Sequence, residues 1–345
     1  MTDKPDILQN VPLAPLTTLK IGGPARYFVR AVSEAQVGHA FAFAAQNGVD
    51  VFVLGGGSNI LVSDAGLDGV VLQIGIKGVG VDADGRVTAA AGEDWDPLVA
   101  AVVARGLAGF ESLSGIPGSV GGTPVQNVGA YGQEVSDTIV SVRCFDREQR
   151  VTVTLANADC GFSYRRSIFN TTHRGRYVVM SVTYQLAKND RPQPTYKDLV
   201  ERFAGKQPTL AEIREAVLQI RRSKSMVIDA ADTNSQSAGS FFKNPVVATE
   251  AFERLRNDAA NTDIPSFPAG ENSVKIAAAW LIENAGFAKG FRLGNAGIST
   301  RHSLALVNFG GASAAEIIAL KDLIQSRVSE RFGIALEPEP VFVGF

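Results

Sequence analysis

Cysteine is nearly absent: the 345 residues hold two, Cys144 and Cys160, both among apolar neighbours. So few thiols exclude a disulfide scaffold and fit a reduced, cytoplasmic protein. Histidine is as scarce. His39, His173 and His302 lie far apart without metal-ligand spacing, so no metal is expected. An excess of either charge is also missing, with 33 basic against 35 acidic residues and a net charge of −2. No basic run stands out, which argues against nucleic-acid partners and anionic membrane surfaces. No uncharged apolar stretch reaches the roughly 18 residues of a membrane-spanning helix. The start, Met1-Thr2-Asp3-Lys4-Pro5, lacks the apolar core of a signal peptide. Internal repeats and low-complexity tracts are absent.

Hydrophobic residues make up 45% and charged residues 20%, an ordinary globular balance, and the length suits two or three domains. Residues 25–32 read as a strand. Ser33-Glu34-Ala35-Gln36 opens a helix that runs to Asn47, with Gly48 as its cap. Strand-like runs follow at 51–54, 60–62 and 70–72. Another strand at 86–91 precedes a helix capped by Asp96-Pro97 and ending at Gly106. Strands then dominate at 139–145, 150–155 and 177–186. A second capping box, Thr209 to Glu212, opens a helix whose cations Arg221, Arg222 and Lys224 suit its C-terminus. Residues 229–237 read as a linker or loop. A helix over 274–284, a strand at 304–308, a helix from Ser313 to near Gly333 and a strand at 341–345 complete the chain. Long antiparallel-looking strands with inserted helices predict an α+β fold, not a doubly wound parallel sheet.

Two glycine-rich loops carry the chemistry. Gly55-Gly56-Gly57-Ser58-Asn59 runs from strand to strand, so it is not the strand-to-helix dinucleotide fingerprint. It is either a ligand-binding anion nest or a plain hairpin. Eight glycines lie between Gly106 and Gly132, among them Ser114-Gly115-Ile116-Pro117-Gly118-Ser119-Val120-Gly121-Gly122. Gln126-Asn127-Val128-Gly129-Ala130-Tyr131-Gly132 follows. Such a stretch fills no core and is costly to order, so a ligand-lining role is favoured over an irregular surface loop. Two such loops of low charge suit a long phosphate-bearing cofactor.

With three later motifs, these loops resemble the UDP-N-acetylenolpyruvoylglucosamine reductase (MurB) family over roughly residues 17–344. The motifs are Tyr164-Arg165-Arg166-Ser167-Ile168-Phe169, Ala238-Gly239-Ser240-Phe241-Phe242-Lys243-Asn244-Pro245 and Leu336-Glu337-Pro338-Glu339. The Thr195-Tyr196-Lys197-Asp198-Leu199 stretch is similar to the tyrosine loop of the type I branch. The resemblance implies a cytoplasmic flavoenzyme of peptidoglycan precursor synthesis. Such an enzyme uses NADPH and noncovalent FAD to reduce UDP-N-acetylglucosamine enolpyruvate to UDP-N-acetylmuramate. It implies a two-part FAD-binding region of the vanillyl-alcohol-oxidase type and an α/β substrate-binding domain. The expected boundaries are 1–75 and 76–225 for the two FAD-binding subdomains and 226–333 for the substrate domain. The segment 334–345 is expected to return to the first. A monomer is expected, with NADPH and the sugar nucleotide sharing one site in alternation.

Reducing an enolpyruvyl ether builds negative charge on the substrate carboxylate, which requires a cation, a polarising acid and a proton donor. The resemblance assigns Arg165 to the carboxylate, Glu339 as its polarising partner and Ser240 as proton donor. Glu337, two residues from Glu339, is expected to be the non-catalytic one of the two. FAD contacts are expected from Gly55, Gly56, Gly57, Ser58, Asn59, Pro117, Gly118, Gly122 and Val125. Substrate contacts are expected from Tyr164, Tyr196, Lys224, Asn244, Lys289 and His302. Arg166 stands where some relatives carry an acid, and Pro340 where a valine is expected. An oxidase of the same flavin-binding superfamily has no reason to carry the Ser-Phe-Phe-Lys-Asn-Pro run. A non-catalytic electron-transfer subunit has none for the Arg165, Ser240 and Glu339 set.

Overall fold

The computed structural model describes residues 4–189, 191–258 and 263–345. These form two compact units. The first holds residues 24–57 and 67–227 with the described part of 1–11. The second holds 12–23, 58–66 and 228–345.

In the first unit, a four-stranded sheet runs in the order Leu8–Pro12, Pro24–Ala31, Leu67–Ile74, Val51–Leu54. Its last three strands are parallel. Their connection is the helix Glu34–Asn47, which buries Val37, Ala40 and Ala44. Ser33 Oγ accepts the Gln36 N–H, the Gln36 side chain accepts the Val32 N–H, and Gly48 closes the helix at φ +63°. Small residues on the buried stripe let this helix lie close to the sheet.

A second, antiparallel sheet of five strands follows in the same unit. Its order is Val151–Ala156, Ile139–Asp146, Tyr177–Gln185, Arg86–Ala90, Val79–Val81. Helix Trp95–Val103 buries Trp95 against Phe110 and Tyr184, with ring centroids 4.8 and 6.1 Å away. Trp95 Nε1–H donates to the Leu113 carbonyl at 3.1 Å, so the one polar atom of this ring is satisfied. The helix differs from expectation at its start. It begins at Trp95 behind Asp94, and Asp96 lies inside it, because the Asp96 carboxylate is engaged elsewhere.

The second unit is built around helix Ala314–Phe332, which buries Ala314, Ile317, Leu320, Ile324 and Val328. Its capping box is as expected: Ser313 Oγ accepts the Glu316 N–H and Glu316 accepts the Ser313 N–H. A second acceptor comes from far along the chain, since Asp64 takes the Ala314 and Ala315 N–H groups at 2.8 and 3.1 Å. Two three-stranded antiparallel sheets accompany it: Val246–Ala248, Ser273–Ile276, Ser266–Pro268, and Arg292–Leu293, Ala296–Ile298, Leu306–Asn308. The C-terminal strand Val341–Val343 pairs in parallel with Ile60–Val62 of the same unit.

Parallel and antiparallel sheets with separate helices make the α+β class plain. One local expectation needs correction. Residues 274–284 do not form one helix: Ser273–Ile276 is a strand, and the helix is Ala278–Asn284. The β-branched Val274 and Ile276 pair across the sheet, which overrides the helical spacing. Residues 229–237 form a loop held by its own bonds. Asp232 caps a short turn, and Asn234 Oδ1 accepts three bonds, from Ser299 Oγ, Thr300 N–H and Thr300 Oγ1. Because Asp64 completes the helix N-terminus from outside, Asp64→Ala is expected to cost about 0.5–1 kcal/mol. Chemical denaturation would read this as a lower midpoint at unchanged slope.

Candidate functional site

The two glycine loops meet within the first unit. A Cβ placed on Gly56 would stand 2.6 Å from Gly118 Cα, and one on Gly55 would stand 2.8 Å from Ser119 Oγ. Gly57 and Gly118 adopt φ of +65° and +126°, which side-chain-bearing residues rarely do. The second loop is pinned along its length. Gly118 O accepts the Trp95 N–H, Val120 N–H donates to Glu93 O, and Gly121 N–H donates to Ala91 O. Gly122, by contrast, faces open space. Two backbones thus touch with no side chains between them, beside room for a ligand.

Asp96 secures the start of this loop. Its carboxylate accepts the Gly115 N–H at 2.6 Å and both ends of the Arg214 fork at 2.6 and 2.9 Å. Burial opposes ionisation of Asp96, but Arg214 and the Gly115 N–H outweigh it and hold the carboxyl below its usual range.

Arg165 sits on a turn closed by paired Ser163 and Arg166 backbone bonds, each 3.0 Å. It adopts a left-handed φ of +57°, a conformation that costs a residue with a Cβ roughly 1–2 kcal/mol. Three contacts hold it there. Its Nη2 donates to Gly129 O at 2.7 Å, its guanidinium lies 5.3 Å over the Tyr164 ring, and Asn170 Nδ2 donates to its carbonyl. Arg166 is exposed and takes part through its backbone. Gly129 has to be glycine, since a Cβ there would crowd Glu134 Cγ at 2.8 Å and Arg165 Nη1 at 3.2 Å. Val125 O accepts the Ser167 hydroxyl, linking the second glycine loop to the same motif.

Asn127 was legible only as a loop amide. In the structure it is fully buried: Nδ2 donates to Glu134 and to Ser163 O, and Oδ1 accepts the Ser136 N–H. It joins the glycine stretch to the turn bearing Arg165. Tyr196 caps helix Lys197–Arg202 and meets Tyr131 edge to face at 5.2 Å, and burial pushes both phenols up. Lys224 is the C-cap of helix Leu210–Ser223. The thiols of Cys144 and Cys160 are buried and pushed up to about 12, so they are inert packing groups.

The second unit brings Ser240, His302, Glu339 and Asn59 together. Residues 241–243 and 337–339 lie antiparallel: Lys243 N–H donates to Glu337 O, Glu339 N–H donates to Phe241 O, and Phe242 bridges Pro338. Phe241 and Phe242 are fully buried packing groups under this ladder. Ser240 Oγ lies 3.4 Å from His302 Nε2, an imidazole able to exchange a proton with the hydroxyl. Asn59 Nδ2 donates to Glu339 O, and Asn59 O accepts the Val341 N–H. Its side chain therefore positions the segment bearing Glu339. Glu337 is exposed and pairs with Lys243. Pro340 is buried, and the parallel pairing resumes at the next residue. Asn244 Oδ1 caps helix Ala278–Asn284 through the Ala278 N–H, and Lys289 is exposed on a loop. Ser58 O accepts the Thr18 hydroxyl. No helix among the described residues is long and apolar enough to cross a membrane, and no three acids, histidines or cysteines among them form a metal cluster.

Bare glycine backbone where two loops meet in the first unit suits a dinucleotide cofactor, as in a flavin-dependent oxidoreductase. Comparison with known proteins agrees. Residues 25–154 match the FAD binding domain and residues 231–343 match the UDP-N-acetylenolpyruvoylglucosamine reductase C-terminal domain. UDP-N-acetylenolpyruvoylglucosamine reductase of Thermobifida fusca is 45% identical over 97% of this chain and 98% of that protein. The Streptomyces coelicolor protein of that name is 46% identical over 98% of this chain and 90% of that protein. The crystal structure of MurB from Thermus caldophilus is similar with a TM-score of 0.66 at 25% identity, over 98% of each chain. The chain belongs to the UDP-N-acetylenolpyruvoylglucosamine reductase family and is an oxidoreductase with FAD as its cofactor.

Asn127→Ala is expected to leave the Ser163 carbonyl and Ser136 N–H without their side-chain partner. A loss of about 1–3 kcal/mol in unfolding free energy follows. Urea denaturation of the variant checks it.

Proposed function

We propose that this chain reduces UDP-N-acetylglucosamine enolpyruvate with electrons from NADPH, through noncovalent FAD held by the two glycine loops. The single observation that supports this best is that Ser240 adjoins the short ladder bearing the Glu339 segment while His302 stands 3.4 Å from its hydroxyl. Gly55, Gly56, Gly57, Pro117, Gly118, Gly122 and Val125 would hold the cofactor by backbone approach, a fit that the missing Cβ atoms at Gly55 and Gly56 support. Neither loop contains a cysteine or histidine to anchor the flavin covalently. When bound, FAD supplies hydride transfer.

The protein groups then manage charge and protons. Arg165, a permanent planar cation fixed by Gly129 and Tyr164, neutralises the substrate carboxylate as charge builds on it. Glu339, protonated when substrate is bound, polarises the same carboxylate. Ser240 delivers the proton to the carbon bearing the carboxylate, and His302 beside it is placed to restore that proton. Tyr164, Tyr196, Lys224, Asn244 and Lys289 are the proposed substrate contacts. In this reading NADPH and the sugar nucleotide use one site alternately, residues 1–75 and 76–225 serve FAD, 226–333 serves the substrate, and a monomer works in the cytoplasm.

Ser240→Ala separates the steps. A general acid contributes about 10²- to 10⁴-fold, and reduction of the flavin by NADPH needs no proton from Ser240. Flavin bleaching by NADPH is expected within a few-fold of wild type, while reoxidation by the enolpyruvyl substrate collapses. Stopped-flow absorbance reads both. Equal slowing of the two would assign Ser240 a positioning role and send the search for the proton donor elsewhere.

A further inference from the structure

Ser240 and His302 lie 62 positions apart, and a contact of 3.4 Å between their side chains requires both backbones to be held. The serine side is secure. Its neighbour Phe241 is fully buried and donates its N–H to the Leu304 carbonyl at 2.7 Å. His302 stands on the turn 299–305, between the strands Ala296–Ile298 and Leu306–Asn308. Within that turn, Ser299 N–H donates to Ala305 O at 2.9 Å and Ala305 N–H donates to His302 O at 3.1 Å. These two bonds close the turn, but Thr300 and Arg301 at its tip are exposed. Where the imidazole points therefore depends on what holds the tip from outside.

Two side chains from elsewhere in the unit do so. Asn234 Oδ1 accepts the Ser299 hydroxyl, the Thr300 N–H and the Thr300 hydroxyl at 3.1, 2.9 and 3.1 Å. Asn234 Nδ2 donates to Asp232 Oδ1 at 3.1 Å, which fixes the amide with its oxygen towards the turn. The Ser299 hydroxyl in turn accepts the Arg301 N–H at 3.1 Å. One amide oxygen thus reaches Ser299 and Thr300 directly and Arg301 through a single hydroxyl, the three residues that lead into His302. On the far side, the buried Ser303 hydroxyl donates to the Glu283 carboxylate. The two anchors are not equivalent. Glu283 is exposed, whereas Ser299 is fully buried, and a buried hydroxyl that loses its acceptor has no water to turn to.

We propose that Asn234 is a positioning residue for proton delivery, holding the turn 299–305 so that the His302 imidazole stays within reach of the Ser240 hydroxyl. This rests on the reading of Ser240 as proton donor and His302 as the group that restores its proton. The side-chain bonds of Asn234 go to Ser299, Thr300 and Asp232, so its influence reaches the imidazole through the backbone of the turn. At 3.4 Å the Ser240 and His302 contact has little distance to spare before proton exchange between them fails. A misplacement of about 1 Å by a change away from the chemistry can cost on the order of 10²-fold in rate. Reduction of the flavin by NADPH draws no proton from this pair, so the cost falls on one half of the cycle.

The test is stopped-flow absorbance of both half-reactions in Asn234→Ala, His302→Ala and the double variant. Asn234→Ala is expected to leave flavin bleaching by NADPH within a few-fold of wild type. Reoxidation by the enolpyruvyl substrate should slow about 10²-fold. In the His302→Ala background the same substitution should add less than about twofold, because there is no imidazole left to position. A merely structural role would slow both half-reactions, or add its full effect to that of His302→Ala, and either result overturns the proposal. So does wild-type reoxidation in Asn234→Ala where His302→Ala is slow. Wild-type reoxidation in His302→Ala overturns the underlying reading, and the proposal with it. If Asn234→Ala does not fold, Ser299→Ala removes one link of the same chain with little change of volume. It should slow reoxidation selectively, and a wild-type rate there overturns the proposal.

Discussion

Everything in the first unit turns on the contact between two backbones that carry no side chains. Gly56 approaches Gly118 so closely that even a methyl group would collide. The parallel sheet delivers the first loop from the end of Val51–Leu54, and the second loop is tied to Glu93, Ala91 and Trp95 next to the antiparallel sheet. Neither loop could hold its shape unaided, because glycine loses more conformational freedom on ordering than any other residue. The structure offsets this with a ladder of backbone bonds, a buried aromatic cluster around Trp95 and the Asp96 carboxylate.

A second constraint governs the other unit. Residues 241–243 and 337–339 are nearly a hundred positions apart, yet they lie backbone to backbone over the buried Phe241 and Phe242. Glu337 pairs with Lys243 across this ladder. Asn59 holds the segment from one side and continues into the pairing of Ile60–Val62 with Val341–Val343. Arg165, Asn127 and Tyr131 all take positive φ without being glycine and lie in the motifs around the proposed site, while Asn10, Lys20, Arg150 and Ser225 do so elsewhere.

Charge follows the same economy. Several ion pairs, such as Arg26 with Asp68, Lys197 with Glu201 and Arg222 with Glu215, join exposed side chains and contribute little. The Arg214 and Asp96 pair is different, being bidentate, mostly enclosed and bonded to the glycine loop. Arg221 stands beside that pair on the same helix, seven residues on, which is why one carboxylate faces two guanidiniums.

The sequence by itself determined a good deal. Capping boxes at Ser33, Thr209 and Ser313 located three helix starts, because a cap is a local bond between residues three apart. Glycine clusters located the loops, and motif order located the family. Wherever a distant partner won, local reading failed. Val274 and Ile276 became strand because Val246–Ala248 and Ser266–Pro268 lie on either side. Arg221 read as a helix-end cation and is buried. A side chain's bonding partner across the fold is not encoded in its neighbours along the chain. Burial and net charge at a site are sums over residues that only tertiary packing assembles, and there the tertiary structure alone decided.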